Sequence, residues 1–218
     1  MIYGHAGPDI LRGDEGDDYI NAGDGADRAF GGDGDDTVEG GAGADTLQGN
    51  AGYDTLSYAD SNAGVTINLL ASTTTGGHAA GDVISGFEAL IGSDFNDSLR
   101  GNAGDNEIEG GLGDDRLFGE DGDDVLTSVS GNNIMQGNDG NDILLGGLGD
   151  DRLLVVTDML ADHQALLGHL RAIPHQQDGD EVGNVDEEAD EDDRLVGRQL
   201  EAPDLHALGV VLAEVVRQ

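Results

Sequence analysis

The sequence predicts an all-β chain wound as a flattened parallel solenoid in two repeat tracts, followed by an acidic tail of different character. Three observations predict it: a nine-residue period, glycine held at two places of that period, and an aliphatic residue two places after an acidic one. The frames begin at Gly4, Gly13, Ala22, Gly31, Gly40 and Gly49, and again at Gly92, Gly101, Gly110, Gly119, Ser128, Gly137 and Gly146. The first place is Gly in 11 of 13 units and the fourth in 12, with Phe95 the exception. The sixth is Asp in 11, with Asn106 and Asn133 the exceptions, and the eighth is Leu, Ile, Val or Met in 12, with Ala29 the exception. A linker merely rich in Gly and Asp would not hold that register.

Each unit reads as a loop followed by a very short strand. Glycine at fixed places marks sharp turns that a side chain would obstruct. The last three residues, such as Thr37-Val38-Glu39 or Arg116-Leu117-Phe118, alternate so that the middle side chain points inward. Stacked units then enclose a single file of Leu, Ile and Val.

The charge pattern sets the next expectation. The 218 residues carry 46 acidic side chains against 9 basic ones, all of them Arg, for a net charge of −37. Stacking places equivalent loops one strand spacing apart, about 4.8 Å. The sixth-position carboxylates then form rows of like charge. Two such charges about 5 Å apart repel by roughly 0.8 kcal/mol in water and about 3 kcal/mol at an effective dielectric of 20. A cation between loops reverses the sign. The ligands on offer are carboxylates and carbonyls, all hard oxygen, which suits Ca²⁺ better than Mg²⁺ or a soft metal.

The unit Gly31-Gly32-Asp33-Gly34-Asp35-Asp36-Thr37-Val38-Glu39 matches G-G-x-G-x-D-x-U-x at every fixed place, as do the units at Gly40, Gly110 and Gly146. The chain resembles the RTX (haemolysin-type) calcium-binding repeat proteins over 117 of its 218 residues. The resemblance implies a right-handed parallel β-roll in which two units make an 18-residue turn. It implies several Ca²⁺ ions, each between a loop and the loop two units later. The implied carboxylate ligands are Asp9, Asp18, Asp27, Asp36, Asp45, Asp54, Asp97, Asp115, Asp124, Asp142 and Asp151. The implied carbonyls lie near Gly7, Gly16, Gly25, Gly34, Gly43, Gly52, Gly104, Gly113, Gly122, Gly140 and Gly149. The implied pairs are Asp9–Asp27, Asp18–Asp36, Asp27–Asp45, Asp36–Asp54, Asp97–Asp115 and Asp124–Asp142. Asn106 and Asn133 bring less charge to their sites. The units at Gly92 and Ser128, with Phe95 in place of glycine and Val129-Ser130 interrupting the turn, are expected to hold weak sites or none.

The expected organisation is a first tract over 1–57, a spacer over 58–91, a second tract over 92–154 and a tail over 155–218. In the spacer Val65, Ile67 and Leu69 alternate with Thr66 and Asn68 as a half-buried strand would. Gly76-Gly77 and Gly81 mark turns, and Phe87, Leu90 and Ile91 form a second apolar patch. The segment is similar to the β-structured spacers that interrupt RTX tracts; a flexible linker is the alternative. In the tail, residues 157–173 and the stretch from Pro203 carry helical spacing, and residues 178–193 hold ten acids in sixteen. That tail is expected to be poorly ordered or partly helical. The resemblance implies export by type I secretion machinery, with the tail in the place of an uncleaved signal. A partner-binding segment and a gene-model artefact are the alternatives, and the start just before a repeat suggests a fragment. His163, His169 and His175, six apart, do not form a metal face on a helix.

The strong negative field argues against nucleic acid and anionic membranes as partners. There is no Cys for disulfides or thiolate sites, and no apolar run approaches a membrane span. No Sec-type signal peptide is visible at the N-terminus. The chain has no H-E-x-x-H, G-x-S-x-G or phosphate loop, so no enzyme is expected. The expected function is extracellular calcium binding by a secreted module, with the ions driving folding. The alternatives are a structural or adhesive surface protein stiffened by calcium and the calcium-binding part of a larger enzyme or toxin. The outward strand residues Tyr19, Phe30, Phe118, Thr46 and Thr55 form no uniform ladder for a surface ligand.

Overall fold

A computed structural model describes residues 1–156; the expectations for the tail, namely its helices, acidic stretch and secretion signal, lie outside the described residues. In chain order the first tract holds β1 (Ile2–Tyr3), β2 (Ile10–Glu15), β3 (Tyr19–Asn21), β4 (Asp24–Gly25), β5 (Arg28–Asp33), β6 (Thr37–Glu39), β7 (Ala42–Gly43), β8 (Thr46–Ala51) and β9 (Thr55–Ser57). The spacer adds β10 (Thr66–Asn68), β11 (Thr73–Thr75), one 3-10 turn (Gly77–Ala79), β12 (Val83–Ser85) and β13 (Ala89–Ile91). Then follow β14 (Ser98–Arg100), β15 (Glu107–Glu109), β16 (Arg116–Asp121), β17 (Val125–Thr127), β18 (Ile134–Asp139), β19 (Ile143–Leu145) and β20 (Arg152–Val156). Among the described residues no helix is long and apolar enough to cross a membrane.

Apart from β4 and β7, which pair with each other alone, the strands form two walls of a parallel solenoid of about eight turns. One wall is unbroken, in the order β1-β3-β6-β9-β13-β15-β17-β19. The other has two sections, β2-β5-β8-β12 and β11-β10-β14-β16-β18-β20. Neighbours in the regular parts lie eighteen residues apart, as Ile20 opposite Val38 and Leu99 opposite Leu117. Two nine-residue units therefore make one turn.

The core corrects the expectation of a single aliphatic file. There are two files, one from each wall, because successive units face each other across the coil. Ile20, Val38, Leu56, Leu90, Ile108 and Leu126 on the unbroken wall meet Leu11, Ala29, Leu47, Ile84, Ile67, Leu99, Leu117 and Met135. The strands also exceed the expected three residues on one wall. There β2, β5, β8, β16 and β18 run six residues, through the two residues that open the next unit and one beyond.

The spacer is an enlarged turn of the same coil. Leu56 in β9 pairs with Leu90 in β13, thirty-four residues on, so this turn is sixteen residues longer than a regular one. That surplus accounts for the offset between the two repeat frames. On the opposite wall β10 pairs parallel with β14 and antiparallel with β11, while β12 pairs parallel with β8. Three strands stand there in place of one. Tyr58, Val65, Ile67, Ala79, Ile84 and Phe87 fill the enlarged turn, all buried.

Candidate metal centre

The loops stack along the two edges of the coil. The loops holding Asp9, Asp27 and Asp45, then Asp97, Asp115, Asn133 and Asp151, form one edge. Those holding Asp18, Asp36 and Asp54, then Asn106, Asp124 and Asp142, form the other. Within each tract the sixth-position N–H donates to the sixth-position side chain eighteen residues on. Asp9 donates to Oδ1 of Asp27 at 2.7 Å, Asp18 to Asp36 at 2.8 Å, Asp27 to Asp45 at 2.8 Å and Asp36 to Asp54 at 2.9 Å. In the second tract Asp97 donates to Asp115 at 3.0 Å and Asp124 to Asp142 at 3.1 Å. Asp115 and Asn133 continue the ladder through Asn133 and Asp151, both at 2.9 Å. All six sequence-derived pairs are thus neighbours.

The second oxygen of these carboxylates is the chemically open one. Oδ2 of Asp9, Asp27, Asp36, Asp45, Asp54, Asp124 and Asp142 is buried with no hydrogen-bond partner. An unpaired buried carboxylate oxygen costs free energy unless a proton or a cation meets it. Except at Asp27, whose unit opens with Ala22, each lies against the glycine that opens its own unit. A Cβ on Gly31 would overlap Oδ2 of Asp36 and lie 2.7 Å from the Gly49 carbonyl oxygen. A Cβ on Gly13 would meet Oδ2 of Asp18 at 2.8 Å and overlap the Gly31 carbonyl. A carboxylate oxygen and a carbonyl from the next turn thus approach each other closely over a glycine, where a side chain would not fit.

The turn carbonyls add further oxygen. A Cβ on Gly25, Gly43, Gly52, Gly131, Gly140 or Gly149 would overlap the carbonyl oxygen of Gly7, Gly25, Gly34, Gly113, Gly122 or Gly131 respectively. Gly16 and Gly104 approach Gly34 and Gly122 in the same way. The second place of the unit, glycine in the motif, takes the left-handed conformation even where another residue stands, at Asn50 (φ 81°) and Glu120 (φ 84°). That turn brings the carbonyl of one loop under the next, as His5 lies under Gly23. Among the described residues no three His, Asp or Glu side chains converge on one point. Any cation here meets one or two carboxylates plus backbone carbonyls, a hard-oxygen set that fits Ca²⁺.

Burial is the main cause of the shifts in acidity. It pushes the Asp45, Asp115 and Asp124 carboxyls up to about 6, against the lowering effect of the amide each accepts. The neighbouring carboxylates Asp82 and Asp27 push Asp45 further, and Asp142, Asp105 and Asp123 push Asp124. Asp36, Asp54 and Asp142 are raised by the same cause.

Elsewhere protein groups occupy the second oxygen. At Asp97 the Ser93 N–H donates to Oδ2 at 2.6 Å and the Ser93 hydroxyl at 3.1 Å. Ser128 Oγ lies 3.3 Å from Oδ2 of Asp115. Asn106 accepts from the Asn102 N–H at 2.7 Å and donates to the Glu88 carbonyl at 2.8 Å. Asn133 donates to the Gly146 carbonyl at 3.0 Å.

Two ladder residues escaped the sequence reading. Asp82 accepts the Asp45 N–H at 2.9 Å, and Glu88 accepts the Asp54 N–H at 3.0 Å. The signal was present: Asp82-Val83-Ile84 and Glu88-Ala89-Leu90 each put an aliphatic two places after an acid. The missing glycine frame hid it.

A family model, the RTX calcium-binding nonapeptide repeat in four copies, matches residues 1–29, 22–56, 91–126 and 118–153. Together these segments cover more than half of the chain. Comparison with curated proteins finds no match.

Proposed function

The chain belongs to the RTX calcium-binding nonapeptide-repeat family, and on that premise we propose that it is a secreted module in which Ca²⁺ between successive loops drives the coil to fold outside the cell. The repeats are calcium-binding repeats, and a β-roll of this kind is a calcium-binding structural fold rather than a catalytic one. The observation that carries the finer reading is the set of buried Oδ2 atoms without partners at Asp9, Asp27, Asp36, Asp45, Asp54, Asp124 and Asp142. In this reading Asp18 and the second-tract residues Asp97, Asp115 and Asp151 complete the ligand set, with Asp97 and Asp115 the weaker members. The carbonyls of the glycine turns supply the remaining oxygens.

The energetics follow from linkage. A ligand that binds the folded form alone stabilises it by an amount that grows with its concentration. Inside a cell, where free calcium is scarce, the like-charged columns oppose stacking. Outside, where Ca²⁺ reaches the millimolar range suited to extracellular modules, the columns become binding sites. That order suits a chain exported unfolded, through type I machinery in this reading. Circular dichroism through a calcium titration tests it. A disordered spectrum in chelator that turns to β-structure with added Ca²⁺ is expected; a spectrum indifferent to calcium overturns the proposal.

A further inference from the structure

We propose that the spacer supplies a calcium site that no nonapeptide encodes, formed across its seam by Asp54, Glu88 and the Gly86 carbonyl. Glu88 lies outside every matched repeat segment. The inference rests on the reading of the loops as calcium sites and extends it to residues outside the motif.

From Ser85, which pairs with Gln48, only three residues, Gly86-Phe87-Glu88, lead to β13, where six, Gly49 to Asp54, lead from Gln48 to β9. Glu88 nonetheless does what a sixth-position Asp does. It accepts the Asp54 N–H at 3.0 Å, as Asp54 accepts the Asp36 N–H at 2.9 Å. The next residue, Ala89, donates to the Asp54 carbonyl at 2.9 Å, as Thr55 donates to that of Asp36 at 2.7 Å. Two residues on, Leu90 pairs with Leu56, as Leu56 pairs with Val38. The extra methylene of Glu spans what the shortened loop leaves open.

Gly86 completes the imitation. A Cβ on Gly49 would lie 2.5 Å from Oδ2 of Asp54 and overlap the Gly86 carbonyl oxygen. This is the arrangement at Gly31, where Oδ2 of Asp36 and the Gly49 carbonyl converge. Three spacer residues thus present the carboxylate and the carbonyl that a whole repeat loop normally presents. The pointer to a ligand is independent of the acidic pair: Asp54 is 0% exposed, and its Oδ2 has no hydrogen-bond partner.

The opposite edge provides the contrast. Asp82 accepts the Asp45 amide, but its second oxygen takes the Tyr58 hydroxyl at 2.7 Å. The three atoms nearest a Cβ on Gly40 are Oδ2 of Asp45 and two methyl carbons of Leu47, with no carbonyl among them. One edge carries its cation column across the spacer, and a phenol seals the other.

Crystals of the full chain grown in calcium chloride and exchanged into terbium chloride test this by anomalous scattering. A peak about 2.3–2.6 Å from Oδ2 of Asp54 and from a Glu88 carboxylate oxygen is expected. Peaks among Asp18, Asp36 and Asp54 with none between Asp54 and Glu88 overturn the seam site alone. Peaks at no loop overturn the general reading and the seam site with it. In native mass spectrometry at saturating calcium, Glu88→Gln is expected to hold one ion fewer than the unaltered chain, whereas Glu109→Gln, at an exposed strand position, holds the full number. An equal count for Glu88→Gln overturns the proposal. If that variant shows no β-structure in calcium, the crystal experiment decides.

Discussion

The Asp36 amide donates to Oδ1 of Asp54, 2.9 Å away and eighteen residues further along the chain, while Oδ2 of both carboxylates is buried without a partner. One oxygen thus serves as mortar between turns, and the other is held where only a proton or a cation satisfies it. The four predictions below follow from this division of labour.

The first concerns acidity. Burial raises the Asp45, Asp115 and Asp124 carboxyls to about 6, above the unfolded value near 3.8. The folded form then holds these protons more tightly than the unfolded one. In chelator their contribution to stability is present in full below about pH 4 and is lost as pH rises through 6. Calcium competes with the same protons, so its affinity rises over that range. Circular dichroism in chelator from pH 3 to 8 should show β-structure on the acid side only. Isothermal titration should show tighter calcium binding at pH 7 than at pH 5, with proton release.

The second concerns charge in the column. Asp36→Asn keeps an acceptor for the Asp18 amide but removes the charge beside the unpaired oxygen. One unit charge at about 5 Å and an effective dielectric of 20 is worth on the order of 3 kcal/mol. Calcium affinity at the adjoining sites should fall by about a hundredfold. The calcium-free chain should become easier to fold, since a like-charge repulsion disappears. Titration calorimetry and chelator circular dichroism should give these opposite signs.

The third separates glycines by what surrounds them. Gly43→Ala drives a methyl into the Gly25 carbonyl, whereas the nearest atom to a Cβ on Gly104 is Oδ1 of Asn102 at 3.4 Å. In calcium, Gly43→Ala should cost roughly 2 kcal/mol or more, and Gly104→Ala under about 1 kcal/mol. Thermal unfolding of both variants checks the difference.

The fourth addresses the sealed edge. Tyr58→Phe removes the hydroxyl that Oδ2 of Asp82 accepts, leaving a buried carboxylate oxygen unsatisfied. The calcium-loaded chain should lose about 1–3 kcal/mol. The ion count in native mass spectrometry should stay unchanged, because that hydroxyl stands where no cation is needed.

The period of nine announces loops, short strands and the buried eighth place, because each follows from local backbone needs repeated in register. Asp36 and Asp54 were readable as neighbours through the family resemblance, which implies that two units of the repeat make one turn. Asp82 and Glu88 were not, since their places in the ladder depend on the path the chain takes through the spacer. The second file of core residues was hidden for a related reason: one unit viewed alone has one inward side chain, and its partner arrives only when the chain doubles back.

The amino-acid order by itself determined the coil, its charge columns and the hard-oxygen chemistry of its loops, because identical local instructions stack in only a few ways. Tertiary structure alone decided how the coil crosses residues 58–91. There β12 pairs with β8 and β10 with β14, Glu88 joins one edge, and Tyr58 closes the other. Those choices rest on contacts between segments far apart in the chain, where side-chain reach and burial, rather than spacing, select the partner.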